Sequence, residues 1–174
     1  MNFKTIKFSF ALILIAFSVG SKAQSSIDDG GKIYLQAGYS ALNINYGKYS
    51  YNIGSTYTGY LGVNVHKNIG FEILGATTNT ADYSTTLNFD GIFIKPKIAV
   101  NDFVEFFGRV GVNELNLKTS YAGSYTGSYV AYGAGVNFYF TDDKKQYIQI
   151  DYMNWAHHNG YSLSGGGLSY GFRF

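Results

Sequence analysis

Leu168-Ser169-Tyr170-Gly171-Phe172-Arg173-Phe174 alternates without a break, with Leu168, Tyr170, Phe172 and Phe174 in one phase and Ser169, Gly171 and Arg173 in the other. A two-residue period is that of a strand whose two faces meet different surroundings. The aliphatic and aromatic residues share one face here, and the small and charged residues share the other.

The same rhythm recurs upstream. A first strand is predicted near Lys32 to Asn43, with Ile33, Leu35, Ala37 and Tyr39 opposite Gln36, Gly38 and Ser40. A second, near Tyr57 to His66, sets Leu61, Val63 and Val65 against Tyr60, Gly62 and Asn64. After the turn His66-Lys67-Asn68, a third sets Ile69, Phe71 and Ile73 against Gly70, Glu72 and Leu74. The fourth, near Thr85 to Ile98, is the least regular. Leu87, Phe89, Gly91 and Phe93 alternate, but Ile92 and Ile94 break the polar phase before Pro96, so a bulge is expected at its far end.

Strands five to eight are placed near Val104 to Asn113, near Tyr129 to Phe140, after the turn Thr141-Asp142-Asp143-Lys144-Lys145, and near Gly166 to Phe174. Eight such segments, with no sustained helical period, predict an all-β fold in one domain over residues 24–174. Connections near 66–68, 100–103 and 141–145 are short, whereas those near 44–56, 78–85, 114–128 and 155–165 read as longer, polar loops. Short turns at one end and long loops at the other fit an up-and-down antiparallel transmembrane barrel.

Composition agrees. The chain has 22 Gly, 17 Tyr and 14 Phe beside one Pro and one Trp, which favours strands over long helices. With no cysteine, disulfides, thiolate metal sites and a lipid-modified cysteine are excluded. At the N-terminus, Lys4 and Lys7 precede the apolar run Phe8 to Val19, and Ser21-Lys22-Ala23 has the small residues of a cleavage site, so residues 1–23 read as an export signal. Removing them takes away three lysines and no acid. The 13 basic and 11 acidic residues become 10 and 11, and the charge falls from +2 to −1. No nucleic-acid footprint remains.

Alternation shows that two faces differ, not which one points out. Glu72, Glu105, Arg109, Asp151 and Arg173 all fall in the glycine-bearing phase. Facing hydrocarbon, the cations would cost several kcal/mol each near the midplane, so in a membrane this phase turns inward. In a soluble barrel carrying a small apolar ligand, the apolar phase would turn inward instead.

The terminal Leu168 to Phe174 segment resembles the signal by which bacterial outer-membrane barrels are recognised for insertion, with Tyr170, Phe172 and Phe174 in the aromatic positions. Tyr132-Gly133-Ala134-Gly135-Val136 and Phe107-Gly108-Arg109-Val110-Gly111-Val112 resemble strands of the small opacity-protein and OmpX-like barrels. The resemblance covers essentially the whole mature chain. It implies a monomeric eight-stranded barrel in the cell outer membrane, with outer-membrane lipid, lipopolysaccharide and the barrel-insertion machinery as partners.

The five charged residues could line a proton or ion pathway, but read rather as a packed polar plug, since an eight-stranded interior has room only for side chains. His157 and His158, beside Trp155 and near Ser162 and Ser164, are the one constellation a lipid hydrolase could use. The histidine and serine spacing of the lipid A deacylase barrels is not reproduced here, and adjacent histidines on an extended segment point to opposite sides, which makes them poor co-ligands for one metal. Gly165-Gly166-Gly167 reads as flexibility where a loop meets the barrel. Tyr46, Tyr49, Tyr51, Tyr121, Tyr125 and Tyr161 are either an adhesive loop surface or an interfacial girdle. No cofactor and no catalytic residue is expected, and the function read from the sequence is a non-enzymatic envelope or surface-interaction role.

Overall fold

The computed structural model describes residues 33–78, 85–119, 123–141 and 143–174; the expected export signal over 1–23 and Tyr121 lie outside them. Eight strands follow in order: β1 Ile33–Tyr46, β2 Tyr49–His66, β3 Ile69–Thr78, β4 Thr85–Ala99, β5 Val104–Thr119, β6 Gly123–Tyr139, β7 Gln146–His158 and β8 Tyr161–Arg173. Each pairs antiparallel with the next, and β8 returns to β1 to close an up-and-down barrel with no free edge.

The strands are longer than their alternation implied. Three of the four segments read as long loops are largely strand. Residues 44–56 form a hairpin whose turn is Gly47-Lys48, residues 155–165 form one turning at Asn159-Gly160, and β5 and β6 run to Thr119 and from Gly123. Asn159 and Gly160 both have positive φ, 48° and 80°, as a two-residue hairpin turn with the strands' own twist requires. Gly165-Gly166-Gly167 lies inside β8 and pairs with Met153, Tyr152 and Asp151, so it is sheet and not a flexible joint.

The bulge expected in β4 is absent. Its register with β5 is the same on both sides of Pro96, Ile94 facing Val110 and Lys97 facing Phe107. Bulges occur instead in β2 at Ile53 and Val65 and in β7 at Trp155, each the extra residue across a register shift.

The two phases exchange polarity along the barrel. Toward the terminal end, where the start of β1 meets the end of β8, the outward residues are apolar and exposed, among them Leu35, Phe71, Ile94, Phe106, Val110, Ile150 and Leu168. On β6 this belt runs from Val130 to Phe140, about 25 Å along the barrel axis at the usual rise and tilt, which matches the hydrocarbon band of a membrane barrel. Tyr39 and Tyr57, edge to face at 5.6 Å, border it on one side, and Phe103, Phe140 and Phe174 on the other.

Beyond the belt the outward positions turn polar and form a collar: Asn43, Ser55, Thr77, Asn88, Asp90, Glu114, Asn116, Ser128 and Asn154. At this hairpin end the apolar residues move inside. Leu42, Leu74, Leu87, Phe89, Leu115, Met153, Trp155 and Leu163 form a buried core. The hairpin end is thus built like a soluble barrel and the terminal end like a membrane barrel. The soluble-barrel alternative fails where the belt faces out.

Candidate functional site

The inward phase of the terminal half carries the charges. Glu72 enters from β3, Lys95 and Lys97 from β4, Glu105 and Arg109 from β5, Asp151 from β7 and Arg173 from β8, and all seven are buried. Two clusters form. In the first, Glu72 accepts from Tyr34 Oη at 2.9 Å, Lys95 Nζ at 3.0 Å and Arg109 Nη2 at 3.1 Å, and pairs with Arg109 Nε as well. Arg109 Nη1 reaches Asp151 at 3.1 Å, and Gln149 joins the pair by donating to Asp151 at 2.6 Å and accepting from Lys95 at 3.0 Å. The Arg109 guanidinium lies 4.1 Å from the centre of the Tyr60 ring.

In the second cluster, Glu105 accepts from Asn137 at 2.9 Å, Tyr139 Oη at 2.7 Å and Arg173 Nη2 at 3.0 Å, with Lys97 Nζ at 3.4 Å. Arg173 also contacts the Tyr139 hydroxyl and lies over that ring, 4.6 Å from its centre. Buried charges of this kind are tolerable only when paired and hydrogen-bonded, and each carboxylate here has at least two donors.

The rings need room, and glycine supplies it. A Cβ on Gly62 would come within 2.1 Å of the Tyr34 ring, and one on Gly171 within 2.0 Å of the Tyr147 ring. Tyr60, Glu72, Arg109, Tyr147 and Gln149 are each at most 2% exposed, so side chains fill the lumen at this level. The apolar core fills the next. Arg109 Nη1 touches Met153 Sδ at 3.9 Å, which joins the two storeys directly.

All five charged residues singled out from the sequence fall in this lumen. Glu72, Arg109 and Asp151 come together, while Glu105 and Arg173 meet separately. Sequence reading missed Lys95 and Lys97. They alternate with Ile92, Ile94, Pro96 and Ile98, which face outward, so the supposed break in the fourth strand is its lipid phase and the lysines belong to the lumen.

Tyr170, Phe172 and Phe174 occupy the outward phase at the terminal end. Phe172 and Phe174 pack edge to face at 5.0 Å, Tyr170 Oη donates to Gln146 at 2.7 Å, and the Phe174 amide donates to the Ile33 carbonyl at 2.8 Å.

The histidines are not in a loop. His157 and His158 end β7, with His157 opposite Ser162 and His158 opposite Tyr161. No hydrogen bond joins His157 to Ser162 among the described residues. Asn45 Nδ2 donates to Ser162 at 3.4 Å and to Ser164 at 2.8 Å, and the Ser164 hydroxyl also meets Tyr152 Oη at 2.8 Å. Asp90 and Glu114 sit on β4 and β5, away from this hairpin, so among the described residues no acid orients either histidine. Among the described residues these histidines and serines do not assemble nucleophile, base and orienting group. Among the described residues no group of three His, Asp or Glu side chains is placed to hold a metal.

The sequence profile described as outer membrane protein beta-barrel domain matches residues 9–174. No curated protein matches the sequence. Among solved structures, the chain is similar to Ail, the attachment invasion locus protein of Yersinia pestis, with 17% identity over 83% of this chain and 99% of that one and a TM-score of 0.60. It is similar to Neisserial surface protein A, with 12% identity, coverage of 82% and 97% and a TM-score of 0.65. The N-terminal β-barrel domain of Pseudomonas aeruginosa OprF gives 12%, 83% and 100%, and 0.58. At such identities these likenesses concern the fold alone.

Proposed function

This chain belongs to the outer membrane protein beta-barrel family, and from that premise we propose that it is a sealed, non-enzymatic monomer that anchors a polar-walled tower above the cell outer membrane. The reading rests on the exchange of phases. Below the collar a lipid-facing belt surrounds a charged plug and the lower part of an apolar one; above it a polar wall surrounds the rest of the apolar plug. A diffusion channel needs a continuous wet lumen, and two packed storeys of opposite polarity oppose one.

The short-turn end faces the periplasm, following the usual asymmetry of such barrels, and the hairpins face outward. Residues 1–23 direct export and are removed. Tyr170, Phe172 and Phe174 present the final strand to the insertion machinery. Outer-membrane lipid meets the belt, and lipopolysaccharide meets the collar of Asn, Ser and Thr side chains. The role is in envelope structure or surface interaction, carried by the hairpin ends and not by long loops.

The test is a planar-bilayer recording of the folded protein together with heat-modifiable gel migration. A mobility shift on boiling with no conductance steps is expected. Stable open steps from protein that shows the shift would overturn the sealed-barrel reading.

A further inference from the structure

Above the apolar plug the inward phase ends in a continuous aromatic arc. Tyr125 Oη meets Tyr129 Oη at 2.9 Å, and the Tyr129 ring stands edge-on to His158 at 6.3 Å. His158 pairs with Tyr161 across the β7–β8 hairpin, and Tyr161 stacks on Tyr46 with ring centres 4.3 Å apart and planes 20° apart. Tyr46 pairs with Tyr49 across the β1–β2 turn, and Tyr49 stacks along Tyr51 at 6.5 Å and 23°. The arc spans five strands. Tyr49, Tyr51 and Tyr161 are 66%, 60% and 52% exposed, more than packing within the chain accounts for.

These tyrosines are not a girdle. Ala41, Leu42 and Gly54 mark the collar, and Tyr46 and Tyr49 stand about five residues further along their strands, roughly 10–15 Å beyond it at the usual rise and tilt. The belt's own girdle is already supplied by Tyr39 and Tyr57.

The surroundings define the ligand. Among the described residues beyond the collar, Lys48 at the β1–β2 turn and Lys118 on the adjoining β5 are the only formal charges, and Asn45, Ser50, Asn52 and Ser162, which alternate with the rings and so lie on the opposite face of the sheet, are neutral. A polyanion would find two cations on separate hairpins, and an organic cation no carboxylate on these strands. The near-parallel pairs make a platform, not a cage that encloses a cation. An extended peptide has no strand edge to join, because the barrel is closed. What remains is a ligand with apolar C–H faces to lie on the rings and hydroxyls to meet the phenol groups.

We propose that the arc binds a neutral oligosaccharide reaching it from outside the cell. This rests on the outward placement of the hairpins but not on the sealed lumen. The full chain, folded in detergent, is titrated with soluble hexamers of β-1,4-linked and α-1,4-linked glucose and with a sulfated oligosaccharide of equal length, followed by tyrosine difference absorbance and calorimetry. Saturable binding of at least one neutral hexamer is expected, weakened about tenfold by Tyr46→Ala or Tyr161→Ala, retained by Tyr161→Phe, and unchanged by Tyr57→Ala in the belt girdle. Heat-modifiable migration of each variant verifies folding. Preference for the sulfated sugar, no binding of either neutral hexamer, or binding indifferent to both alanine variants would each overturn the proposal. Conductance recordings on the same preparations report on the sealed barrel separately.

Discussion

Glu72→Gln is the substitution that presses hardest on the lumen network. Glu72 accepts hydrogen bonds from Tyr34, Lys95 and Arg109, and its side chain is shielded from solvent. The described charged clusters hold three carboxylates, Glu72, Glu105 and Asp151, against four cations, Lys95, Lys97, Arg109 and Arg173. With glutamine the balance becomes two against four. The new amide also turns a donor toward side chains that are themselves donors. Removing one member of a buried, hydrogen-bonded pair costs about 3–5 kcal/mol, because the partner stays buried without its countercharge. Adding Lys95→Met restores the original imbalance of one, so E72Q/K95M is expected to be at least about 1 kcal/mol more stable than E72Q alone. The readout is urea unfolding of protein folded into lipid vesicles, followed by emission of Trp155, the sole tryptophan, 1% exposed in the apolar storey. A loss under about 1 kcal/mol for E72Q at unchanged m, or a double variant less stable than the single, would refute the paired-plug reasoning.

Four further outcomes follow from the same geometry. Gly171→Val, which forces a side chain into the Tyr147 ring, should cost about 1–3 kcal/mol in that unfolding assay or block assembly, whereas Gly59→Ala, where a Cβ meets nothing closer than 3.8 Å, should fold normally. Asn113 is 2% exposed with no hydrogen-bond partner for either amide atom among the described residues, so Asn113→Leu should stabilise by about 1 kcal/mol, read as a raised urea midpoint. Asp90 stands directly opposite Glu114 across β4 and β5 on the collar, where like charges repel. Asp90→Asn should therefore raise stability by a few tenths of a kcal/mol at pH 7, and the gain should vanish in acid, once Asp90 itself is neutral; partial burial and then the facing Glu114 raise its carboxyl above the usual range. Deleting Phe174 should slow assembly by purified insertion machinery, measured as the fraction of heat-modifiable protein over time, while Phe106→Ala in the belt should assemble at the normal rate.

The strand count and the shared phase of Glu72, Glu105, Arg109, Asp151 and Arg173 were legible because alternation survives wherever lipid and lumen lie on opposite sides of a strand, though alternation alone did not say which phase faces in. Strand length was not. In β5 the apolar residues Val110 and Val112 hold one parity, and Leu115 and Leu117 hold the other. A template that asks for apolar residues outward ends this strand at Asn113. The strand in fact continues to Thr119, because once past the headgroups the outward face meets water and the apolar side chains turn inward. Bulges hide the remainder. Ile53 and Trp155 are extra residues in β2 and β7, and each shifts the parity of the following segment, which makes a regular hairpin look like polar loop sequence.

The same physics explains the two missed lysines and makes the parity jump a usable signal. Lys95 and Lys97 were hidden by Leu87, Phe89 and Phe93, which share their parity and led the apolar phase of β4 to be assigned to the wrong face. Those three residues belong to the storey where apolar side chains face in, and the lysines to the storey where charges do. A strand that crosses from one environment to the other therefore carries apolar residues in both parities, changing over near the collar: Phe93 gives way to Ile94 and Ile98 in β4, and Val112 to Leu115 in β5. Asp90 and Glu114 mark that level, polar residues in the outward phase with nothing but apolar side chains outward below them until the short turns. The changeover in parity, rather than the onset of polar composition, is what locates the membrane boundary along each strand. It also implies that moving one apolar pair across the collar, for instance Leu115→Ser with Glu114→Leu, would extend the belt outward by one rung and shift the barrel's depth in the bilayer by about 5 Å, readable from fluorescence quenching of Trp155 by lipids labelled at graded depths. An unchanged quenching profile would mean that the collar does not set the depth.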